Sequence, residues 1–160
     1  ELGSALGLNR VTVDRYIDLL EKSFIIFRLP GFSRNLRKEV TKMDKIYFYD
    51  IGVRNMIIGN LNLLSNRDDA GRLWENFLIV ERMKKQSYAQ ELYSHYFWRL
   101  TSGAELDLVE EKNGDLFGFK FKYGHKKAKV PNGWIKAYSK AKYQCINQEN
   151  YLDFILENKG

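Results

Sequence analysis

The sequence predicts an α+β fold with an α/β core, and three observations lead there. Apolar residues recur at helical spacing in residues 9–23 and 71–85, aromatic and β-branched runs of strand length occupy 24–29, 45–49 and 92–122, and Asn113-Gly114 separates two such runs as a hairpin turn. Residues 1–7 read as a short helix ending at Gly7. Asn9 caps the next helix, in which Val13, Tyr16, Ile17 and Leu20 form an i, i+3, i+4, i+7 stripe expected to be buried. That is helix–turn–helix spacing. The runs FIIFRL (24–29) and KIYFY (45–49), separated by the polar SRNLRKEVTKMD, resemble a two-stranded wing. Residues 1–50 therefore read as a winged-helix-like segment without its first helix, and residues 51–160 as a second domain. Residues 50–59 and 71–85 are expected to be helices, the latter presenting Leu73, Trp74, Phe77, Leu78 and Val80 as an apolar face. Three strands are predicted next, in LYSHYFWRL, ELDLVEE and LFGFKFK. After a Pro131-Asn132-Gly133 turn come a helix from Trp134 to Lys142 and two short final strands.

At 160 residues, 44% hydrophobic and 29% charged, the chain has the composition of a globular protein able to bury one good-sized core or two small ones. No run approaches the roughly 18 apolar residues of a membrane span, and the N-terminus lacks the basic-then-apolar pattern of a secretory signal. A cytoplasmic location without membrane attachment is the expectation. A single cysteine, Cys145, excludes an intrachain disulfide and speaks against structural zinc. The opening ELGSALGL has no initiator Met and is already helical in pattern, so the chain reads as part of a longer protein. Its net charge of +6 is uneven: residues 116–148 hold eight lysines and no acid, whereas residues 51–115 hold ten acids against eight basic residues. Nucleic acid or another acidic surface is thus a candidate partner for the C-terminal third, and a solvated lysine-rich face is the alternative.

Asn-Gly favours the type I′ turn, whose two central residues both need positive φ. With Asn113-Gly114 as that turn, Lys112 faces Asp115, and continuing the ladder sets Asp107 opposite Lys120 and Glu105 opposite Lys122. Alternation then puts these four charges on one face and Phe117, Phe119 and Phe121 on the other.

In order and spacing, KIYFYDIG, GRLWENFLIVE, YFWRL, AELDLV and FKFK resemble the domain of unknown function that follows the ATPase module in bacterial and archaeal AAA-type ATPases. The resemblance implies an N-terminal ATPase module as a partner outside this chain, a winged-helix-like segment, and a restriction-endonuclease-like mixed sheet flanked by helices, similar to PD-(D/E)XK nucleases. No GxxxxGK[ST] loop is present, so P-loop ATP chemistry does not reside in these residues. Carried over by residue, the nuclease pattern falls on Glu75, Asp107 and Lys122. It departs at Lys120, where the pattern has an acid. A nuclease of this type would need Mg²⁺, and an ammonium at 120 removes an oxygen ligand and puts positive charge where the ion would sit. The pattern thus implies a degenerate site and a recognition role. A metal-dependent nuclease is the competing reading, in which a ligand migrates to Glu105 or Glu110 or a one-residue bulge alters the pairing. A purely protein-interacting module is the third.

For nucleic acid, the candidates are Arg34, Arg37 and Lys38 of the wing segment, together with Lys120, Lys126, Lys127 and Lys129. Arg10, Thr12 and Arg15 of the first complete helix could enter a groove. Predicted pairs Arg10–Asp14 and Asp18–Lys22 would neutralise much of that helix. Tyr123, Trp134, Tyr138 and Tyr143 among the lysines suit either base stacking or a core. His95 and His125 have no nucleophile arrangement around them.

Overall fold

A computed structural model of the protein describes residue 5, residues 7–34, residue 39 and residues 43–156. The chain is a mixed α+β protein with two compact units, one made of residues 1–28 and 46–61 and the other of 29–45 and 62–160. No helix among the described residues is long and apolar enough to cross a membrane.

The first unit is built on helix α1 (Arg10–Lys22), capped by Asn9, whose side chain accepts from the Thr12 amide at 2.8 Å. Of the predicted stripe, Val13 is buried and Ile17 half-buried, but Tyr16 and Leu20 are exposed. The Arg10–Asp14 pair forms at 3.6 Å. Asp18 does not pair with Lys22 as predicted; Arg28 takes it at 2.5 Å and Glu21 at 2.9 Å, because a guanidinium reaching across from the sheet offers two forks. Strands β1 (Ile26–Leu29) and β2 (Lys45–Phe48) form a two-stranded sheet whose outer residues, Leu29 and Lys45, belong to the second unit. Phe27 packs on Tyr47 and Tyr49 at ring distances of 5.7 and 4.9 Å. Helix α2 (Ile51–Ile57) starts from Asp50, whose Oδ1 accepts from the Gly52 and Val53 amides at 2.6 and 3.0 Å. The predicted helix over 1–7 lies mostly outside the described residues. Gly7 at φ 64° fits its predicted end.

The second unit centres on a four-stranded sheet of order β3-β4-β5-β6, with β3 (Ser94–Arg99), β4 (Glu105–Lys112) and β5 (Asp115–Phe121) antiparallel and β6 (Lys142–Ile146) parallel to β5. Asn113 and Gly114 have φ of 53° and 86°, and Lys112 faces Asp115, as the turn chemistry requires. One side of the sheet carries a cluster of Trp98, Leu106, Val109, Leu116, Trp134, Tyr138 and Phe32. Gly118 lets the indole of Trp134 approach: a Cβ there would lie 2.7 Å from Leu106 and 3.2 Å from Trp134. On the other side, Phe119 and Phe121 meet Phe154 at 4.9 and 5.7 Å, and helix α3 (Ala70–Tyr88) runs with Leu78 and Ile79 fully buried.

Two predicted elements differ. The helix expected over 134–142 is α4 (Asn132–Ala137), after which Lys142 already opens β6. Among the described residues no second final strand forms; residues Tyr151–Ile155 are a short helix, α5. Burial of Phe154 against two sheet phenylalanines outweighs the strand preference of its neighbours.

Residues 29–45 belong to this unit. Phe97 exchanges backbone hydrogen bonds with Pro30 and Phe32 at 2.9 and 2.7 Å, extending the sheet past β3. Further along, the buried carboxylate of Glu39 accepts from Trp98 Nε1 at 2.7 Å, the Tyr138 hydroxyl at 2.6 Å and the Ser33 hydroxyl at 2.5 Å. Burial and that carboxylate push the Tyr138 hydroxyl up to about 12.

Candidate functional site

The charged residues singled out in the hairpin meet at one end of the sheet. Tyr96 faces Val109 while Trp98 faces Leu106, so β4 spends one residue more than β3 over that interval. Asp107 is the residue left without a ladder partner on either side, which makes it a bulge. Its side chain takes over the missing pairing: Oδ2 accepts from the Phe121 amide at 2.7 Å, and Oδ1 accepts from Lys120 Nζ at 2.6 Å. The predicted Asp107–Lys120 neighbourhood therefore holds.

The predicted Glu105–Lys122 pair does not form. Lys122 lies beyond the end of β5, and its amide bonds to the Ile146 carbonyl of β6 at 2.9 Å, while the bulge breaks the register on which the pairing was extrapolated. Among the described residues Lys122 has no ion-pair partner. Glu105 instead accepts from Lys45 Nζ at 2.7 Å, meets Arg99 Nε at 3.1 Å, and lies 4.0 Å from Lys120 Nζ. Lys45, the first residue of β2, also binds Glu75 on α3 at 3.0 Å, so one ammonium bridges two carboxylates from separate elements. Sequence reasoning missed Lys45, since nothing local distinguishes it from a strand-opening lysine.

The electrostatics follow from this arrangement. Asp107 is 2% exposed, and burial, with the charge of Glu75, raises its carboxyl to about 6 against the pull of Lys120 and the Phe121 amide. Burial works to lower the Lys45 ammonium and to raise the Glu105 carboxyl, but Glu75 and Glu105 together leave Lys45 above its ordinary value, and Lys45, with Lys120 and Arg99, leaves Glu105 below its own. Three carboxylates thus face three cations, Lys45, Arg99 and Lys120. The donor set does not suit Mg²⁺, which takes carboxylate oxygens and waters in an octahedron. Both Asp107 oxygens already accept hydrogen bonds, and Glu75 and Glu105 share an ammonium. Among the described residues no three His, Cys, Asp or Glu side chains are grouped to hold a metal ion.

Glu110, the other position to which a ligand might migrate, is elsewhere. It is 0% exposed and receives Arg82 in a two-pronged contact at 2.9 and 3.0 Å, with Gln86 donating at 2.8 Å. His95 Nε2 lies 2.6 Å from Gln86 Oε1, and burial holds its pKa below the ordinary value.

Of the nucleic-acid candidates, Arg37 and Lys38 lie outside the described residues. Arg34 is held within the second unit, paired with Glu111 and over the Phe32 ring at 5.8 Å. Lys120 is committed to Asp107. Lys126, Lys127 and Lys129 are exposed in the loop between β5 and α4 and have no ion-pair partner among the described residues. Trp134 and Tyr138 are core residues, whereas Tyr123 is exposed beside this loop.

Fold and site together define a mixed α+β protein whose acidic cluster is neutralised by its own lysines and arginine. Residues 70–159, more than half of the chain, match the family described as Domain of unknown function (DUF4143), and the chain belongs to that family. Residues 1–64 match a second family, Domain of unknown function (DUF8612). The uncharacterized proteins Mb2031c of Mycobacterium bovis and Rv2008c of Mycobacterium tuberculosis are each similar to the chain, 30% identical over 124 residues. The similarity covers 76% of this chain and 27% of each relative, so the chain spans about a quarter of their length. No solved structure matches the chain.

Proposed function

We propose that this chain is a recognition region of a longer polypeptide and that its second unit binds nucleic acid through the lysine loop, on a frame akin to PD-(D/E)XK nucleases with a degenerate metal site. The observation that carries the reading is a contrast of charge within one unit. The buried cluster is neutralised internally, whereas Lys126, Lys127 and Lys129 face solvent without acidic partners among the described residues. Unpaired surface cations are the groups that release counterions from a polyanion. In the family that the sequence resembles, an ATPase module precedes this region, and binding here would couple to it.

Titrating labelled DNA at several salt concentrations tests the proposal. Replacing Lys126, Lys127 and Lys129 by Ala should weaken binding and flatten the slope of log K against log salt by about 2 to 3. Arg10→Ala with Arg15→Ala should do much less, and a dominant effect of that pair would move the reader to the first unit. No Mg²⁺- or Mn²⁺-dependent cleavage is expected. Cleavage lost on Asp107→Ala would restore the nuclease reading.

A specific observation favours protein docking as a second activity. In the first unit, Val53, Met56 and Ile57 stand at helical spacing on α2 yet are 44, 66 and 66% exposed. An uncharged stripe of this kind marks a protein contact. The occupant that fits is the remainder of the longer polypeptide, since similar proteins carry about three-quarters of their length outside the matched region.

A further inference from the structure

Four aromatic residues lie among the C-terminal lysines, and the structure divides them. Trp134 and Tyr138, 1% and 9% exposed, belong to the core cluster, and Tyr143 spends its hydroxyl on the Ala128 carbonyl at 2.8 Å. Tyr123, which follows the end of β5 and precedes the lysine loop, is 37% exposed. Its one ring neighbour among the described residues is Trp74 of α3, at 6.0 Å and 65°. An edge contact of this kind leaves at least one face of the tyrosine ring uncovered by the indole. Trp74 packs in turn on Phe77 at 5.9 Å and on Tyr151 of α5 at 5.0 Å, so an aromatic cluster fixes the position of a ring that solvent reaches. The loop beside that ring is held by its backbone. The Gly124 carbonyl accepts from the Gln148 amide at 3.1 Å, and the buried Asn147 donates from Nδ2 to the His125 and Lys126 carbonyls at 3.4 and 3.3 Å. Glu149, the acid that reaches this loop, pairs with His125 at 3.5 Å and with no lysine among the described residues.

Lysines alone favour a duplex, whose charge density is the higher. An exposed ring changes that preference, because a duplex must open its base stack to use the ring, whereas an unpaired strand offers base faces without that cost. We infer that the lysine loop takes an unpaired nucleic-acid strand, with one base stacked on Tyr123 while Lys126, Lys127 and Lys129 meet the adjoining phosphates. The inference rests on the nucleic-acid reading above and adds to it the strandedness of the ligand.

The test is fluorescence anisotropy with a labelled DNA strand of about 12 nucleotides, its duplex, an RNA strand of the same sequence, and an abasic strand of the same length and charge. The native chain should bind at least one base-bearing strand more tightly than both the duplex and the abasic strand, and the tighter of DNA and RNA names the sugar. Tyr123→Ala should weaken the base-bearing strand by about 5- to 150-fold. It should leave the abasic strand and the salt slope unchanged, because it removes a ring and no charge. Tyr123→Phe should bind as the native chain does. If Tyr123→Ala does not fold, Tyr123→Leu, which keeps an apolar contact with Trp74, is read in the same way. Equal native affinity for base-bearing and abasic strands, a duplex bound as tightly as either strand, or a Tyr123 variant that keeps the preference for bases overturns the inference. The lysine loop then stands as a reader of backbone alone, provided that Lys126, Lys127 and Lys129→Ala still weakens binding. If that triple change has no effect, or nothing binds, the lysine-loop reading itself falls and takes this inference with it.

Discussion

Replacing Arg82 by Met tests how much of the second unit depends on a single buried ion pair. Glu110 is fully buried and accepts three N–H bonds, two from Arg82 and one from Gln86. Without Arg82, the carboxylate keeps one neutral donor in a site that water does not reach. An uncompensated buried charge of this kind costs about 3–5 kcal/mol. The Phe154 carbonyl also loses its Arg82 donor, at 3.0 Å, which adds about 1 kcal/mol. Arg82 is itself only partly buried, and this places the sum near the lower end, about 4 kcal/mol. For a chain of this length that corresponds to a midpoint shift of roughly 10 °C. Urea unfolding followed by tryptophan fluorescence is the assay, because Trp98 and Trp134 both report from the core of this unit. Joining Arg82→Met to Glu110→Leu should recover most of the loss, since an apolar pair leaves no charge unpaired. A loss below about 1 kcal/mol, or a double variant no more stable than the single, refutes the reasoning.

Asp107, with a pKa raised from 3.8 to about 6, binds its proton more tightly folded than unfolded. Its contribution to stability is therefore full below pH 4 and lost as pH rises through about 6, and Asp107→Asn should flatten the stability profile across that window in a pH series of urea melts. Gly118→Ala should cost about 1–3 kcal/mol by pushing Leu106 and the Trp134 indole off the sheet, read as a lower denaturation midpoint. Ile57→Glu should change the stability of the isolated chain by less than about 0.5 kcal/mol, and, if the remainder of the longer polypeptide docks on this face as proposed, it should speed proteolysis between the two.

The hairpin was legible because Asn113-Gly114 is a local backbone demand: once the turn type is set, Lys112 must face Asp115 and Lys120 must arrive near Asp107. Lys122 was misplaced by the same extrapolation, because a bulge at Asp107 has no residue signature of its own and the β4–β5 ladder ends at Leu108 and Phe119, three positions short of that pair. Lys45 was invisible for a different reason. It meets Glu105 from 60 positions away in sequence, through a segment whose attachment depends on Pro30, Gly31 and Glu39 and not on any periodic pattern. Tyr151–Ile155 has aromatic and β-branched residues and too few turns to show helical spacing, so its helix is decided by where Phe154 can be buried. Tyr16 and Leu20 illustrate the converse: their spacing fits a buried stripe, but spacing cannot say whether a partner surface lies within the same unit.

The parallel pairing of β6 with β5 has a kinetic consequence. The β3–β4–β5 meander can zip outward from two short connections, whereas β6 must wait until residues 122–141 have crossed over and closed a long loop. The topology therefore predicts that the meander forms early and the edge strand last, and that in native-state hydrogen exchange β6 should open before β4 and β5. The lysine loop therefore acquires a fixed shape only in the closing step. If the lysine loop binds a polyanion as proposed, the binding energy should appear as slower exchange at Tyr143 and Cys145, the edge strand next to that loop, before it appears as a rise in global stability.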